Sequence, residues 1–268
     1  MTTIIILGVL VGAVLGLTGA GGGIFAVPAL VYGLGWGVVQ ASPVALMAVA
    51  IAASIGTVEG MRRGLVRYKA ASLMAITGVA VTPLGLRAAR LLPESMLLSL
   101  FAAAMVVVAY RMYRASLPKI NLAPTPVDPK ALCRINPSTG RLHWTPATAA
   151  ILAMVGLMSG FLTGLLGVGG GFVLVPALKR ISDIGMQGII ATSLMVIALV
   201  AGGAVLVAWG HGASIPRDIA IPFVAATALG MIAGRMLITK IPAHVLQRTF
   251  ALLMMVVALS FVWKAFHI

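Results

Sequence analysis

The chain has 268 residues, of which 61% are hydrophobic and only 9% are charged. Soluble domains carry about 25% charged residues, so an ordinary water-soluble fold is excluded. The formal net charge of +14 could suit nucleic acid. However, the basic residues gather at the ends of apolar runs, with no recognition helix, aromatic–basic interleaving or metal-finger spacing, and membrane topology accounts for them.

The first apolar segment, near 4–34, is broken by Gly16-Leu17-Thr18-Gly19-Ala20-Gly21-Gly22-Gly23. Residues Met1 to Leu17 lack a basic leader and a cleavage site, so the segment reads as a membrane element rather than a removable signal. Each glycine costs a helix about 1 kcal/mol against alanine. In lipid, the freed backbone groups must meet protein, water or ligand. Crossings are predicted next at 40–61, 68–90 and 94–113, each long enough for a hydrocarbon core of roughly 30 Å. Residues 115–144 follow, with Pro118, Pro124, Pro126, Pro129 and Pro137 beside Lys119, Lys130, Arg134 and Arg141. This stretch reads as a cytoplasmic connector between a first unit at 1–114 and a second at 145–268. Cys133 in the connector is the only cysteine, which excludes a disulfide framework or thiolate metal cage. A second broken segment near 146–180 contains Gly164-Leu165-Leu166-Gly167-Val168-Gly169-Gly170-Gly171. Crossings at 186–209, 216–238 and 244–263 complete the chain.

The two halves repeat. Gly16 and Gly164 differ by 148 (164 − 16), as do Gly12 and Gly160, Leu46 and Leu194, and Gly64 and Gly212. After one added residue, Gly85 matches Gly234, Pro93 matches Pro242 and Phe101 matches Phe250. If each broken segment crosses once, the repeats are parallel, and Lys179, Arg180, Arg235 and Lys240 fall outside. If each enters and returns, the second half is inverted, and mainly Arg87, Arg90, Arg217 and Lys264 fall outside. The second arrangement obeys the positive-inside rule better. The expected fold is therefore an all-α polytopic membrane protein of two homologous, inverted repeats, each with a glycine-broken first helix.

Paired breaks of this kind point to a transport site. Half-helices starting at Ile24 and Phe172 would present free amides and a partial positive charge to an anion. Gly21, Gly22, Gly23, Gly169, Gly170 and Gly171 are thus candidate substrate-binding residues. Close helix packing is the competing explanation for them. Polar side chains are scarce in the spans. Ser42, Gln40, Gln187, Thr192 and Ser193 are further candidates, although a lone hydroxyl commonly bonds back to its own helix. Arg87 and Arg235 could draw substrate into a vestibule, or simply snorkel. Glu59 could carry a coupling proton, or pair with Arg63 one turn onward. No Walker loop, HExxH, paired-carboxylate or triad pattern appears, so no enzyme, metal site or cofactor is expected.

The doubled Gly-Leu-x-Gly-x-Gly-Gly-Gly followed by Pro-Ala-Leu, at Gly16 to Leu30 and Gly164 to Leu178, resembles the TauE/SafE family of membrane permeases. Ala191-Thr192-Ser193-Leu194 and the Gly85 and Gly234 regions are similar to it as well. The resemblance implies a multi-pass transporter of the bacterial inner membrane for sulfur-containing anions such as sulfite, sulfonates or sulfoacetate. Opposite Ala191-Thr192-Ser193 the first half has Pro43-Val44-Ala45, and so offers fewer hydroxyls. The reading that results is a secondary transporter of small organic or sulfur oxyanions working by alternating access. Its partners are a small anionic substrate and the lipid bilayer, and no nucleic acid. A homodimer and proton or sodium coupling are left open. A non-transporting subunit that packs with partner proteins, or an anion channel, are the alternatives.

Overall fold

A computed structural model describes residues 1–19, 21–116, 144–212, 215–237 and 243–266. The first half contains α1 (Thr2–Thr18), a 3-10 turn (Gly22–Phe25), α2 (Ala26–Leu34), α3 (Val38–Arg62), α4 (Tyr68–Leu91) and α5 (Glu94–Ser116). The second contains α6 (Pro146–Leu166), α7 (Gly171–Ile181), α8 (Met186–Gly210), α9 (Arg217–Leu237) and α10 (Ala243–Phe266). All six sequence-predicted crossings are helices. With α6, seven helices among the described residues are long and apolar enough to span a membrane. Apart from its ends, the connector lies outside the described residues, together with Cys133.

Both glycine breaks are turns rather than kinks. Gly22 backs onto the Leu15 backbone and Gly33 onto the Leu7 side chain, so α2 returns antiparallel along α1. Gly170 likewise lies against Ser159 and Thr163 of α6. The first return begins as a 3-10 turn at Gly22, ahead of the α-helix expected from Ile24, whereas α7 starts directly at Gly171.

Small residues set the helix seams. Gly8, Gly12 and Gly16 of α1 abut Ala226, Thr227 and Met231 of α9 in that order, so these helices run parallel. A Cβ at Gly12 would collide with the Thr227 carbonyl, and one at Gly16 would sit 2.5 Å from that of Met231. Such seams let backbones approach closely where lipid gives no hydrophobic drive to association. Gly156, Gly160 and Gly164 of α6 meet Met74, Gly78 and Gly85 of α4 in the same parallel sense. The Thr82 hydroxyl donates across this second seam to the Gly160 carbonyl at 3.3 Å. Exchanging the halves turns one seam into the other.

At the centre, α3 packs on its own counterpart α8. Gly56 meets Leu194 and Gly60 meets Ala191, so the numbering runs in opposite senses and the two helices are antiparallel. The counterparts α5 and α10 also pack together, with the Phe101 and Phe261 rings 5.4 Å apart. Equivalent helices can meet antiparallel only about an axis perpendicular to them. Inverted repeats, as expected from the sequence, require helix directions of this kind.

Candidate functional site

The two breaks meet. A Cβ at Gly23 would lie 3.1 Å from the Val168 carbonyl oxygen and 3.3 Å from Val49, and one at Gly169 would lie 3.1 Å from both Val49 and Ile197. Val49 and Ile197 are repeat counterparts (197 − 148 = 49) at the middle of α3 and α8. Each break thus packs against the central helix pair, and the first touches the second. Gly19 faces Ile190 of α8. Gly21 differs from its neighbours, because a Cβ there would meet nothing closer than Thr18 at 3.8 Å. Gly169 and Gly170 hold φ of +74° and +62°, a region that other residues enter only with strain. These two glycines are required by the turn itself, whatever it binds.

On one side of the breaks lies a cavity of about 530 Å³ lined by Gln40, Ser42, Pro43, Leu86, Arg90 and Glu94, with Gly164 and Ala208 also on its wall. Ser42 abuts Gly167, so the cavity reaches the second break. Arg90 lines this space, whereas Arg87 is exposed outside its lining. The Ser42 hydroxyl donates to the Val38 carbonyl at 2.7 Å, the bonding-back arrangement that competes with ligand contact.

On the other side an ion-paired network ties the helices together. Glu59 of α3 forms an ion pair with Arg235 of α9 and another, at 2.7 Å, with Arg63. Arg235 also donates to the Gly56 carbonyl at 3.1 Å, and so ties α9 to α3 twice. The Thr192 hydroxyl accepts the Arg67 N–H at 3.1 Å, fastening α8 to the loop between α3 and α4. Thr192 therefore belongs to this ion-paired end, while the adjacent Ser193 has a buried, unpartnered hydroxyl. Gln187 is exposed near the start of α8 and is not among the cavity-lining residues. The Glu59–Arg63 pair follows from helical spacing. The Glu59–Arg235 pair, 176 positions apart in sequence, has no such local signal.

Ser159 is a residue at the candidate site that the sequence does not mark. Its Oγ is fully buried, has no hydrogen-bond partner and lies against Gly170. In sequence it is one more hydroxyl in an apolar span, and nothing local separates it from those that bond back to their own helix.

The sulfite exporter TauE/SafE family model matches residues 4–261. A probable membrane transporter protein of Xylella fastidiosa strain Temecula1 is 28% identical over 96% of this chain and 93% of its own length, and strain 9a5c has a relative of equal identity and coverage. The probable membrane transporter protein MamO of Paramagnetospirillum magneticum is 25% identical over 96% of this chain, which spans 44% of that larger relative. No solved structure matches significantly. A doubled glycine turn, a spanning helical framework and a match over nearly the whole length agree: the chain is a multi-pass membrane protein belonging to the TauE/SafE sulfite exporter family.

Proposed function

We propose that the chain is a secondary transporter that moves small organic or sulfur-containing oxyanions across the bacterial inner membrane by alternating access. The observation that carries this reading is the meeting of the two glycine turns between an open cavity and an ion-paired closure. A carrier in one of its end states has this form. The site faces solution on one side, and short-range contacts seal the other. Membrane-transporter names among the relatives, and the family's description as sulfite exporters, support the class of activity and of cargo.

The positive-inside rule orients it. Arg62, Arg63, Arg67, Lys69, Lys179, Arg180 and Arg235 lie at the closed end, while Arg87, Arg90, Arg217 and Lys264 lie at the cavity end. The closed end is then cytoplasmic, and the cavity opens outward. Glu59 acts in this scheme as a latch between α3 and α9. Breaking the latch and shutting the cavity would expose the same site to the cytoplasm.

Proteoliposome flux tests the site. Gly21→Leu puts a side chain into open space at the first turn, beside Thr18 and two residues before the Gly23 contact with the second break, at φ −83°, where no strain arises. The expected result is normal insertion and melting temperature, with oxyanion flux reduced at least tenfold. Wild-type flux in this variant would contradict the site. The reading of the chain as a packing subunit instead predicts no flux from the purified wild-type protein.

A further inference from the structure

Ser159 and Ser193 stand apart from the other hydroxyls of the bundle. Thr18, Ser42, Thr57, Thr82, Thr163 and Thr227 each donate to the carbonyl one turn back at 2.7–2.8 Å. Ser159 and Ser193 are as buried as any residue, at 0% exposure, yet the Oγ of each has no partner. An unpaired buried hydroxyl carries an uncompensated desolvation cost, so it marks a place where a partner is expected.

Both sit at the glycine turns. Ser159 lies against Gly170, the residue from which α7 starts and which no side chain caps. Ser193 falls between Ile190 and Ile197, three and four residues away, on the α8 face that meets Gly19 and Gly169. The eleven-residue α7 therefore opens with uncapped amides beside the orphaned Ser159 hydroxyl, and Ser193 lies on the α8 face turned toward the same break.

Among the described residues, the first half shows no such set. The counterparts of Ser159, Thr163 and Ser193 are Val11, Leu15 and Ala45 (each 148 lower), all buried and apolar. Its own return starts as a 3-10 turn rather than a regular helix. The fully buried polar residues among those described are all Ser or Thr. Arg235 is engaged by Glu59, and Arg67, whose Nε is buried without a partner, is tied through its backbone N–H to Thr192 at the ion-paired end.

Resting on the reading of the turns as the transport site, we propose that the site is one-sided. The oxyanion head takes hydrogen bonds from Ser159, Ser193 and the first amides of α7, and the rest of the ligand lies against the apolar wall of the first half. The donors at this end of α7 are neutral, so a monoanion with a short apolar substituent is favoured there over a ligand carrying a second charge. Carboxylate and sulfonate heads share this chemistry.

Calorimetric titration of the full chain in nanodiscs with propionate, ethanesulfonate and sulfate tests the proposal. Propionate, ethanesulfonate or both should bind at least tenfold more tightly than sulfate, and the comparison between them identifies the preferred head. Ser159→Ala and Ser193→Ala should each weaken the better ligand about tenfold, the loss of one hydrogen bond to a charge. Ligand-free melting temperature should hold or rise, since the hydroxyl removed has no partner. Unchanged affinity in both variants, or sulfate binding as well as the monoanions, overturns the one-sided site and leaves the transport site standing. If wild-type protein binds none of the three, both readings fail together.

Discussion

At Gly170, a Cβ would have to lie 2.6 Å from the Ser159 carbonyl oxygen while the backbone stays at φ +62°. Left-handed backbone costs a non-glycine residue about 1–2 kcal/mol before the clash is added. Gly170→Ala should therefore lower the melting temperature of the detergent-solubilised protein and reduce its yield. Gly21→Ala, with open space around it, should melt within error of wild type. Equal melting temperatures for the two variants would contradict the turn geometry. The sequence marks both glycines as candidate ligand contacts, and the distinction between them arises only from what the folded chain packs against each. Glu59 illustrates the same limit. Its partner at i+4 is legible from helix periodicity, but Arg235 reaches it from another helix of the opposite repeat. If that pair is a latch, Glu59→Gln should speed alkylation of a Thr192→Cys reporter, in a Cys133→Ser background, by reagent added from the Arg235 end. An unchanged rate would show that other contacts keep this end shut.

Among elements, the spanning helices are visible in the sequence because apolar runs of spanning length have few other uses. The breaks are visible because glycine clusters have no place in a plain crossing. Whether a break bends or reverses the chain is not local information. It is settled by Gly22 on Leu15 and Gly33 on Leu7, contacts between segments that the sequence joins into a single stretch near 4–34. The glycine seams of α1 with α9 and α4 with α6 make a further expectation. Gly12 and Gly160 are counterparts, and a Cβ at either would run into the facing backbone, of Thr227 and Gly78 respectively. Gly12→Leu and Gly160→Leu should each destabilise by several kcal/mol, a typical overpacking cost increased by backbone contact. Size-exclusion profiles should show aggregation in both. A monodisperse, fully active Gly12→Leu protein would exclude the parallel α1–α9 seam.

For the whole molecule, when each glycine-broken pair is taken as entering and returning on one face, the helix directions give odd numbers of crossings per half. The basic loops at 62–69 and 179–180 share one face, and Arg87, Arg90 and Arg217 share the other. The sequence anticipates this only through charge bias, while the antiparallel contact of α3 with α8 supplies the geometric reason. On the proposed mechanism, the two glycine turns would form one site that the ion-paired end and the cavity end reach alternately. Counterflow in proteoliposomes tests this most directly. Vesicles holding purified protein are preloaded with unlabelled oxyanion, and uptake of labelled oxyanion is followed. The account predicts saturable uptake that overshoots and is accelerated by the internal load, because a loaded carrier returns its site faster than an empty one. Uptake that rises linearly with concentration and ignores the internal load would show an open channel, and would contradict alternating access.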